Sequence, residues 1–263
     1  MPHLQLNDFK MHYLERGNGP EPIVFVHGWV SSHRWWLPTL DRLPAGVRAY
    51  AIDLRGAGES QAVDTGHTFA QYADDLHQAV EALDLERFTL VGHSMGGQIA
   101  LQYALDHQDR LKALMLVDPV AASGNQIDPG IVEWCKTVQG QAEGQRIIVQ
   151  GAVPTPIAPE LMEQLVTDAA AWGPALYNET LGEMARFNVA GRLGEISVPT
   201  LVTWADKDTS VPFSSIVETY TGIPGCGLEV WHGIGHSGPV EAPDRFVELL
   251  RRFLAEAAQP KPA

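Results

Sequence analysis

One stretch decides the fold of this chain, Val91-Gly92-His93-Ser94-Met95-Gly96-Gly97. It follows the apolar run at residues 88–91 and precedes residues 98–107, whose pattern is typical of a helix. A strand, a turn and a helix in this order, with Gly-x-Ser-x-Gly in the turn, predict a sharp elbow that presents the Ser94 hydroxyl. Because the N-terminus of a helix favours developing negative charge, the elbow predicts that Ser94 is a nucleophile.

Strands and helices alternate through most of the chain. Residues 4–6 and 9–14 alternate in polarity and predict a β-hairpin. Further strands are predicted at residues 22–26, 47–54, 88–91, 111–117, 199–204 and 227–231. Helices are predicted at residues 31–43, 68–84, 98–107, 212–220 and 239–257. Because right-handed crossovers connect such units, we expect an α/β fold with a mostly parallel eight-stranded sheet and helices on both faces.

Residues 121–195 interrupt this alternation. Short helical patterns occur there at residues 130–139, 143–150, 159–172 and 173–188. We therefore expect a helical cap inserted after the sixth strand, above a core domain formed by residues 1–120 and 196–263. The cap is rich in apolar and aromatic residues, of which Trp134 and Phe187 are predicted to contact the substrate.

Composition argues against several classes of protein. The net charge of −14 over 263 residues disfavours binding to nucleic acid or to anionic membranes. The first ten residues do not resemble a signal peptide, and no apolar run approaches about 18 residues, so no membrane contact is expected. Cys135 and Cys226 are predicted to be unpaired thiols without neighbours at metal-ligand spacing. We expect a cytoplasmic protein without metal or cofactor, either a monomer or a small homo-oligomer.

A serine nucleophile needs a base within hydrogen-bond reach. His236 follows Gly235 in a loop before the last predicted helix, and we expect it to be the base, with His232 as the alternative. His27 and His93 directly follow buried strands and are expected to be structural. No chemical partner is predicted for the remaining histidines, His3, His12, His33, His67, His77 and His107.

The base in turn needs an acceptor that orients it. Asp208 follows the strand at residues 199–204 and is the favoured acid, with Asp118 and Asp206 as alternatives. The chain order Ser94, Asp208, His236 is the order expected when the nucleophile lies on such an elbow.

Attack on a carbonyl also creates an oxyanion, which needs two fixed hydrogen-bond donors. The backbone N–H of Met95, directly after the nucleophile, is the first predicted donor. The second is the N–H of Trp29, because Gly28 allows the backbone after the strand at residues 22–26 to turn toward the site. Gly28 and Trp29 are also predicted to contact the substrate.

The chain resembles the α/β-hydrolase superfamily. The motifs that carry the resemblance are His27-Gly28-Trp29, residues 53–60 (Asp-Leu-Arg-Gly-Ala-Gly-Glu-Ser), Gly92-His93-Ser94-Met95-Gly96-Gly97, residues 208–212 (Asp-Thr-Ser-Val-Pro) and Gly235-His236. Within the superfamily the chain is similar to small serine esterases, cofactor-free haloperoxidases and C–C hydrolases. It departs from that group at Ala57, where histidine is frequent, and at Ala205, where glycine is usual. Relatives that form alkyl-enzyme esters carry aspartate at the elbow, so Ser94 argues against dehalogenase and epoxide hydrolase activity.

The resemblance implies hydrolysis of carboxylic esters through an acyl-enzyme, with a small-molecule ester, an aryl ester or a lactone as substrate. One alternative is a C–C bond hydrolase of the meta-cleavage type, which would use a cap arginine to bind a carboxylate. Arg146, Arg186 and Arg192 lie in the insertion, and Arg186, next to Phe187, is the first candidate, although a solvated arginine on a helix face is the favoured interpretation. A second alternative is perhydrolysis by the same triad, as in the haloperoxidases, and a third is a catalytically silent binding protein.

Overall fold

The computed structural model of the chain describes residues 2–124 and 127–259. Its centre is an eight-stranded sheet with the strand order β1-β2-β4-β3-β5-β6-β7-β8. The strands are β1 (His3–Gln5), β2 (Lys10–Gly17), β3 (Glu21–Val26), β4 (Val47–Ile52), β5 (Phe88–His93), β6 (Leu111–Val117), β7 (Thr200–Ala205) and β8 (Gly227–Trp231). The β1–β2 and β2–β4 pairs are antiparallel and the other pairs are parallel. The predicted hairpin and the mostly parallel sheet are confirmed.

Strand β3 explains why helices cover both faces of the sheet. Ile23 and Phe25 belong to one hydrophobic cluster, whereas Val24 and Val26 belong to the other. Side chains of a strand alternate between the two faces, so a continuous apolar run makes both faces hydrophobic and both must be covered.

The described part of the chain contains ten α-helices. They are α1 (Leu37–Leu40), α2 (Phe69–Ala82), α3 (Met95–His107), α4 (Pro129–Val138), α5 (Ala142–Ala152), α6 (Pro159–Ala170), α7 (Pro174–Arg186), α8 (Phe213–Gly222), α9 (Gly238–Glu241) and α10 (Pro243–Ala257). Helices α2 and α3 pack on the Val24 face, and α10 packs on the Ile23 face. Helices α4 to α7 follow one another between β6 and β7.

The helix predicted at residues 31–43 is much shorter in the structure. Residues His33–Trp36 form a 3₁₀ turn and only α1 continues it. The Ser32 side chain caps the turn, and both the backbone N–H and the ring of His33 bind Asp53. These side-chain contacts hold residues 32–36 in a 3₁₀ turn instead of a regular α-helix.

The predicted final helix at residues 239–257 is divided in two. Helix α9 ends at Glu241, and Ala242 leaves the helical region with φ −141° and ψ 58° before Pro243 starts α10. A residue before proline is disfavoured in the helical region, which accounts for the break. In the described ranges, no helix has both the length and the apolarity needed to cross a membrane.

Candidate active site

Ser94 lies at the elbow between β5 and α3, with φ 56° and ψ −119°. Its backbone N–H donates to Val117 O at 2.9 Å, and its carbonyl accepts from Gly97 N at 2.8 Å. A Cβ atom at position 92 would collide with the carbonyl of residue 96, so Gly-x-Ser-x-Gly is required by the close approach of the two backbone segments. Besides Ser94, positive φ occurs at Val30 (48°) and Asp118 (44°), which also follow parallel strands.

His236 lies in the loop between β8 and α9 and is almost fully buried. Its Nδ1 donates to Asp208 Oδ2 at 2.7 Å. Asp208 follows β7, and its Oδ1 accepts from the backbone N–H groups of Ser210 at 2.7 Å and Val211 at 3.0 Å. The two backbone N–H groups therefore fix the Asp208 carboxylate, and the carboxylate orients the imidazole ring of His236.

The two groups stabilise each other's charged forms. Burial lowers the pKa of His236, but the Asp208 charge and hydrogen bond outweigh burial, so the pKa lies above its ordinary value. Burial raises the pKa of Asp208, but His236 and the turn amides outweigh burial, so the pKa lies below its ordinary value. Asp208 is ionised at neutral pH and is suited to stabilise an imidazolium.

The histidine loop is held on two further sides. His93 Nε2 donates to the carbonyl of His236 at 2.8 Å, and burial lowers the pKa of His93 to about 3, so this ring stays neutral. Glu241 accepts from the N–H groups on either side of His236, at 3.0 Å from Gly235 and 3.1 Å from Ser237. The same carboxylate accepts from Thr155 Oγ1 at 2.7 Å, which ties the loop to the segment between α5 and α6. Glu241 was not predicted to belong to the site, although it lies five residues after His236, near the start of the helix predicted at residues 239–257.

The two other predicted acids have different partners. Asp206 pairs with the exposed His232, with 3.1 Å between Oδ2 and Nδ1, and this pair lies outside the site. Asp118 is buried, and its Oδ1 accepts from Ala205 N at 2.9 Å while Oδ2 accepts from Thr203 Oγ1 at 3.2 Å. Burial raises the pKa of Asp118 to about 7, and the neighbouring Asp208 charge adds to the effect.

A cavity of about 560 Å³ opens in front of the elbow. Ser94, His236, Gly28, Trp29 and Trp134 all line it. Phe187 is absent from the lining that the structure describes. Its ring packs instead on Phe69, with 5.4 Å between centroids, so the predicted substrate contact of Phe187 is not supported by its position.

The two predicted oxyanion donors, the N–H groups of Met95 and Trp29, belong to backbone segments next to Ser94. Met95 is the first residue of α3, where backbone N–H groups lack partners within the helix. The backbone at Gly28 passes so close to the elbow that a Cβ there would lie 3.1 Å from the Cβ of Ser94. The Trp29 side chain lines the cavity, and its Nε1 donates to the carbonyl of Tyr177 at 3.4 Å.

A second group of buried titratable residues lies away from the cavity. Oδ2 of Asp53 accepts from His12 Nδ1 at 2.7 Å, His33 Nδ1 at 2.8 Å and Glu59 N at 3.0 Å, and Oδ1 accepts from His33 N at 2.6 Å. We call His12, His33 and Asp53 the core cluster, and Asp118, Asp208 and His236 the cavity cluster. The prediction that His12 and His33 lack a chemical partner was wrong. The antiparallel β2–β4 pairing, which sets Tyr13 opposite Ile52, brings His12 to Asp53 across 41 positions of sequence.

Each cluster groups ligand-type atoms within 4.8 Å of one another, a spacing at which a metal ion could in principle be held. In both clusters the histidine Nδ1 already contacts the carboxylate at hydrogen-bond distance. These hydrogen bonds explain why the ligand-type atoms lie so close together in both clusters.

The sheet order, the serine elbow and the histidine at a strand end together define an α/β hydrolase, and the chain belongs to this superfamily. Residues 21–147 match the family model for the alpha/beta hydrolase fold. The superfamily that the sequence motifs indicated is confirmed.

Individual relatives are named for different reactions. A Variovorax paradoxus protein assigned as a carbamate hydrolase is 31% identical, over 95% of this chain and 98% of its own. The 2-hydroxy-6-oxo-6-phenylhexa-2,4-dienoate hydrolase of Comamonas testosteroni is 30% identical, over 95% of this chain and 93% of its own. A solved thermophilic esterase from Thermogutta terrifontis is 26% identical with a TM-score of 0.81, covering 98% of this chain and 100% of that chain. The likeness extends over the whole hydrolase fold and does not select one of these reactions.

Proposed function

We propose that the protein is a serine hydrolase that cleaves uncharged carboxylic esters through an acyl-enzyme intermediate. The observation that carries the proposal is the 2.7 Å hydrogen bond between His236 and Asp208 at the wall of a cavity that Ser94 and His236 both line. A nucleophile, an oriented base and an ionised acceptor are the groups that acyl transfer requires.

In the proposed reaction, Nε2 of His236 takes the proton from Ser94 Oγ as this oxygen attacks the ester carbonyl carbon. The N–H groups of Met95 and Trp29 stabilise the oxyanion, and Asp208 stabilises the imidazolium. His236 then gives its proton to the leaving alcohol, and the acyl group remains on Ser94. A water molecule, deprotonated by His236, attacks the acyl carbon. The bond from this carbon to Ser94 Oγ breaks, His236 returns the proton to Oγ, and the free acid leaves.

We further propose that residues 121–195 act as a cap that selects the substrate. Helices α4 and α5 support this role because Ile131, Trp134 and Ile147 line the cavity in front of Ser94. Most of the lining is apolar, which favours an uncharged ester or lactone over a charged substrate.

Cleavage of C–C bonds is the second candidate, because the Comamonas hydrolase is 30% identical to this chain. The three insertion arginines argue against it, since each pairs with a glutamate on the exterior: Arg146 with Glu163, Arg186 with Glu183 and Arg192 with Glu195. Among the described lining residues there is no lysine or arginine to bind a substrate carboxylate.

Parallel assays test the proposal. Purified protein is offered p-nitrophenyl butyrate, a p-nitrophenyl carbamate and 2-hydroxy-6-oxo-6-phenylhexa-2,4-dienoate. We expect the butyrate to be hydrolysed fastest and Ser94→Ala to lower kcat by about 10⁴-fold or more. Ser214→Ala, at an exposed serine of α8, is the matched control and should leave kcat unchanged. A Ser94→Ala variant that keeps most of its activity, or a preference for the dienoate, would refute ester hydrolysis as proposed.

A further inference from the structure

The outer end of the catalytic cavity is unusually apolar for a surface. Ile131 and Trp134 of α4 are 54% and 38% exposed, and Ile147 of α5 is 60% exposed. All three also line the cavity that contains Ser94. We call Ile131, Trp134 and Ile147 the cavity mouth. Contiguous exposed apolar groups of this kind mark places where a ligand or partner covers them.

The cavity mouth continues the apolar wall of the interior. Between the elbow and the mouth the cavity is lined by buried apolar side chains, including Val120, Val149, Leu181 and Met184. Asp128 is the only carboxylate side chain among the described lining residues, and its Oδ1 caps α4 by accepting from Gly130 N at 2.7 Å. An extended apolar group can therefore remain in contact with hydrocarbon from Ser94 to the surface.

We propose that the substrate is an uncharged ester with an extended apolar substituent that runs from Ser94 to the cavity mouth between α4 and α5. This inference rests on the proposed ester hydrolysis and names its substrate class. The occupant is part of the substrate because the mouth belongs to the same cavity as Ser94 and His236. A short ester would leave Ile131, Trp134 and Ile147 in contact with water.

The physical consequence is a dependence of rate on chain length. Each methylene buried in an apolar site contributes about fourfold in binding, which corresponds to ~0.8 kcal/mol. We therefore expect kcat/KM to rise by about two- to fourfold per methylene from acetate toward octanoate or decanoate. Two series separate the acyl from the alcohol side, namely p-nitrophenyl esters of increasing acyl length and acetates of increasing alcohol length.

The double variant Ile131→Asn/Ile147→Asn removes apolar surface at the mouth without adding charge. Both side chains are more than half exposed, so the fold should tolerate the change. We expect kcat/KM for the decanoate to fall by about tenfold or more, whereas the value for the acetate stays within about twofold. Val217→Asn on α8 is the matched control, since Val217 is 37% exposed and lies outside the cavity lining, and it should change neither value.

A binding measurement keeps the inference separate from the proposed reaction. Calorimetry on Ser94→Ala would compare 2-decanone with 2-butanone, two uncharged probes that need no turnover. Tighter binding of 2-decanone that is lost in the Asn double variant supports the inference even when no ester is hydrolysed. The inference is overturned when hydrolysis rates are independent of chain length or when the two ketones bind with equal affinity. It is also overturned when the double variant lowers the acetate and decanoate rates equally. Absence of all ester turnover would instead refute the proposed function.

Discussion

The core cluster and the cavity cluster use the same residue types in opposite proportions. In the core cluster, two histidines donate to one carboxylate, Asp53, and backbone N–H groups complete its shell. In the cavity cluster, two carboxyl groups, Asp118 and Asp208, adjoin one histidine. An excess of donors leaves Asp53 ionised with its hydrogen bonds satisfied, whereas in the cavity cluster Asp208 accepts from His236 and Asp118 accepts from Thr203 and Ala205.

The directions of the pKa shifts differ between the two clusters, and burial contributes to each of them. Burial raises the pKa of Asp53, but the hydrogen bonds from His12 and His33 outweigh burial, and the pKa lies far below its ordinary value. In the cavity cluster the pKa values of Asp118 and His236 are both raised. The comparison teaches that the same residue types can hold a buried carboxylate ionised, as at Asp53, or raise the pKa of a buried histidine, as at His236.

The largest expected effect separates the clusters by activity. His236→Gln keeps a donor toward Asp208 but removes the base, so kcat/KM should fall by about 10⁴-fold while the melting temperature changes little. His33→Gln, a change of the same kind in the core cluster, is the matched control and should leave kcat per folded molecule unchanged. Initial rates and calorimetric melting of both variants make the measurement. Comparable losses of activity in the two variants would abolish the distinction between the clusters.

The next effect separates them by stability. Asp53→Asn leaves two buried histidine donors facing an amide, and we expect the free energy of unfolding to fall by about 3–5 kcal/mol. Urea unfolding at several pH values measures the loss. Because the folded pKa of Asp53 is lowered, its stabilisation is present above the ordinary carboxyl pKa and is lost as the pH falls toward the folded value. The stability gap between wild type and Asp53→Asn should therefore narrow in acid, and a gap that widens in acid would contradict the assignment.

A smaller effect concerns the loop that carries the base. Glu241→Gln weakens the acceptors for Gly235 and Ser237, so His236 is held less well and we expect kcat to fall by about tenfold with little change in KM. Thr155→Val removes the hydroxyl donor from the insertion but leaves the Thr155 N–H bond to Glu241 at 3.2 Å. It serves as the control, with kcat retained. Glu241 acts here as a positioning residue. An equal rise of KM in both variants would point to a role in substrate access instead.

The smallest effect sharpens the account of the cavity cluster. The charges that raise the pKa of His236 come from Asp208, Asp118 and Glu241, against the burial that lowers it. The proposed base must be neutral to accept a proton, so we expect the acid limb of kcat/KM to lie above the ordinary histidine pKa. Asp118→Asn removes one of the raising charges, and the acid limb should move to lower pH by less than about one unit. A shift to higher pH in the measured profile would show that Asp118 is not a source of negative charge for His236.

The sequence was sufficient to predict the position of side chains that directly follow a parallel strand. Ser94, Asp208 and His236 each follow a strand of the parallel sheet, and parallel strands bring their carboxyl ends to one edge. The core cluster could not be predicted in this way, because His12 reaches Asp53 only through the pairing of β2 with β4. In the sequence, Asp53 only opens the motif at residues 53–60, and nothing in that motif indicates its buried partners.

The substrate-facing residues of the insertion were predicted less well. Trp134 lines the cavity but Phe187 does not, although both are aromatic residues of predicted helices. The spacing of apolar residues shows that a helix has an apolar side. It does not show whether that side faces the cavity or the protein core, because both are apolar. The prediction of a helix at residues 31–43 was wrong because a long-range contact, that of His33 with Asp53, overrides the local helix propensity.

The backbone at Ser94 has an implication for how the protein can change. Ser94, Val30 and Asp118 all have positive φ without being glycine, a conformation that costs roughly 1–3 kcal/mol per residue. Selection for heat resistance alone would favour glycine at these positions, and Ser94→Gly would be expected to melt higher than wild type while losing the hydroxyl. Because these three residues are not glycine, contacts elsewhere in the fold must offset their conformational cost. Less stability is then left to tolerate further destabilising mutations.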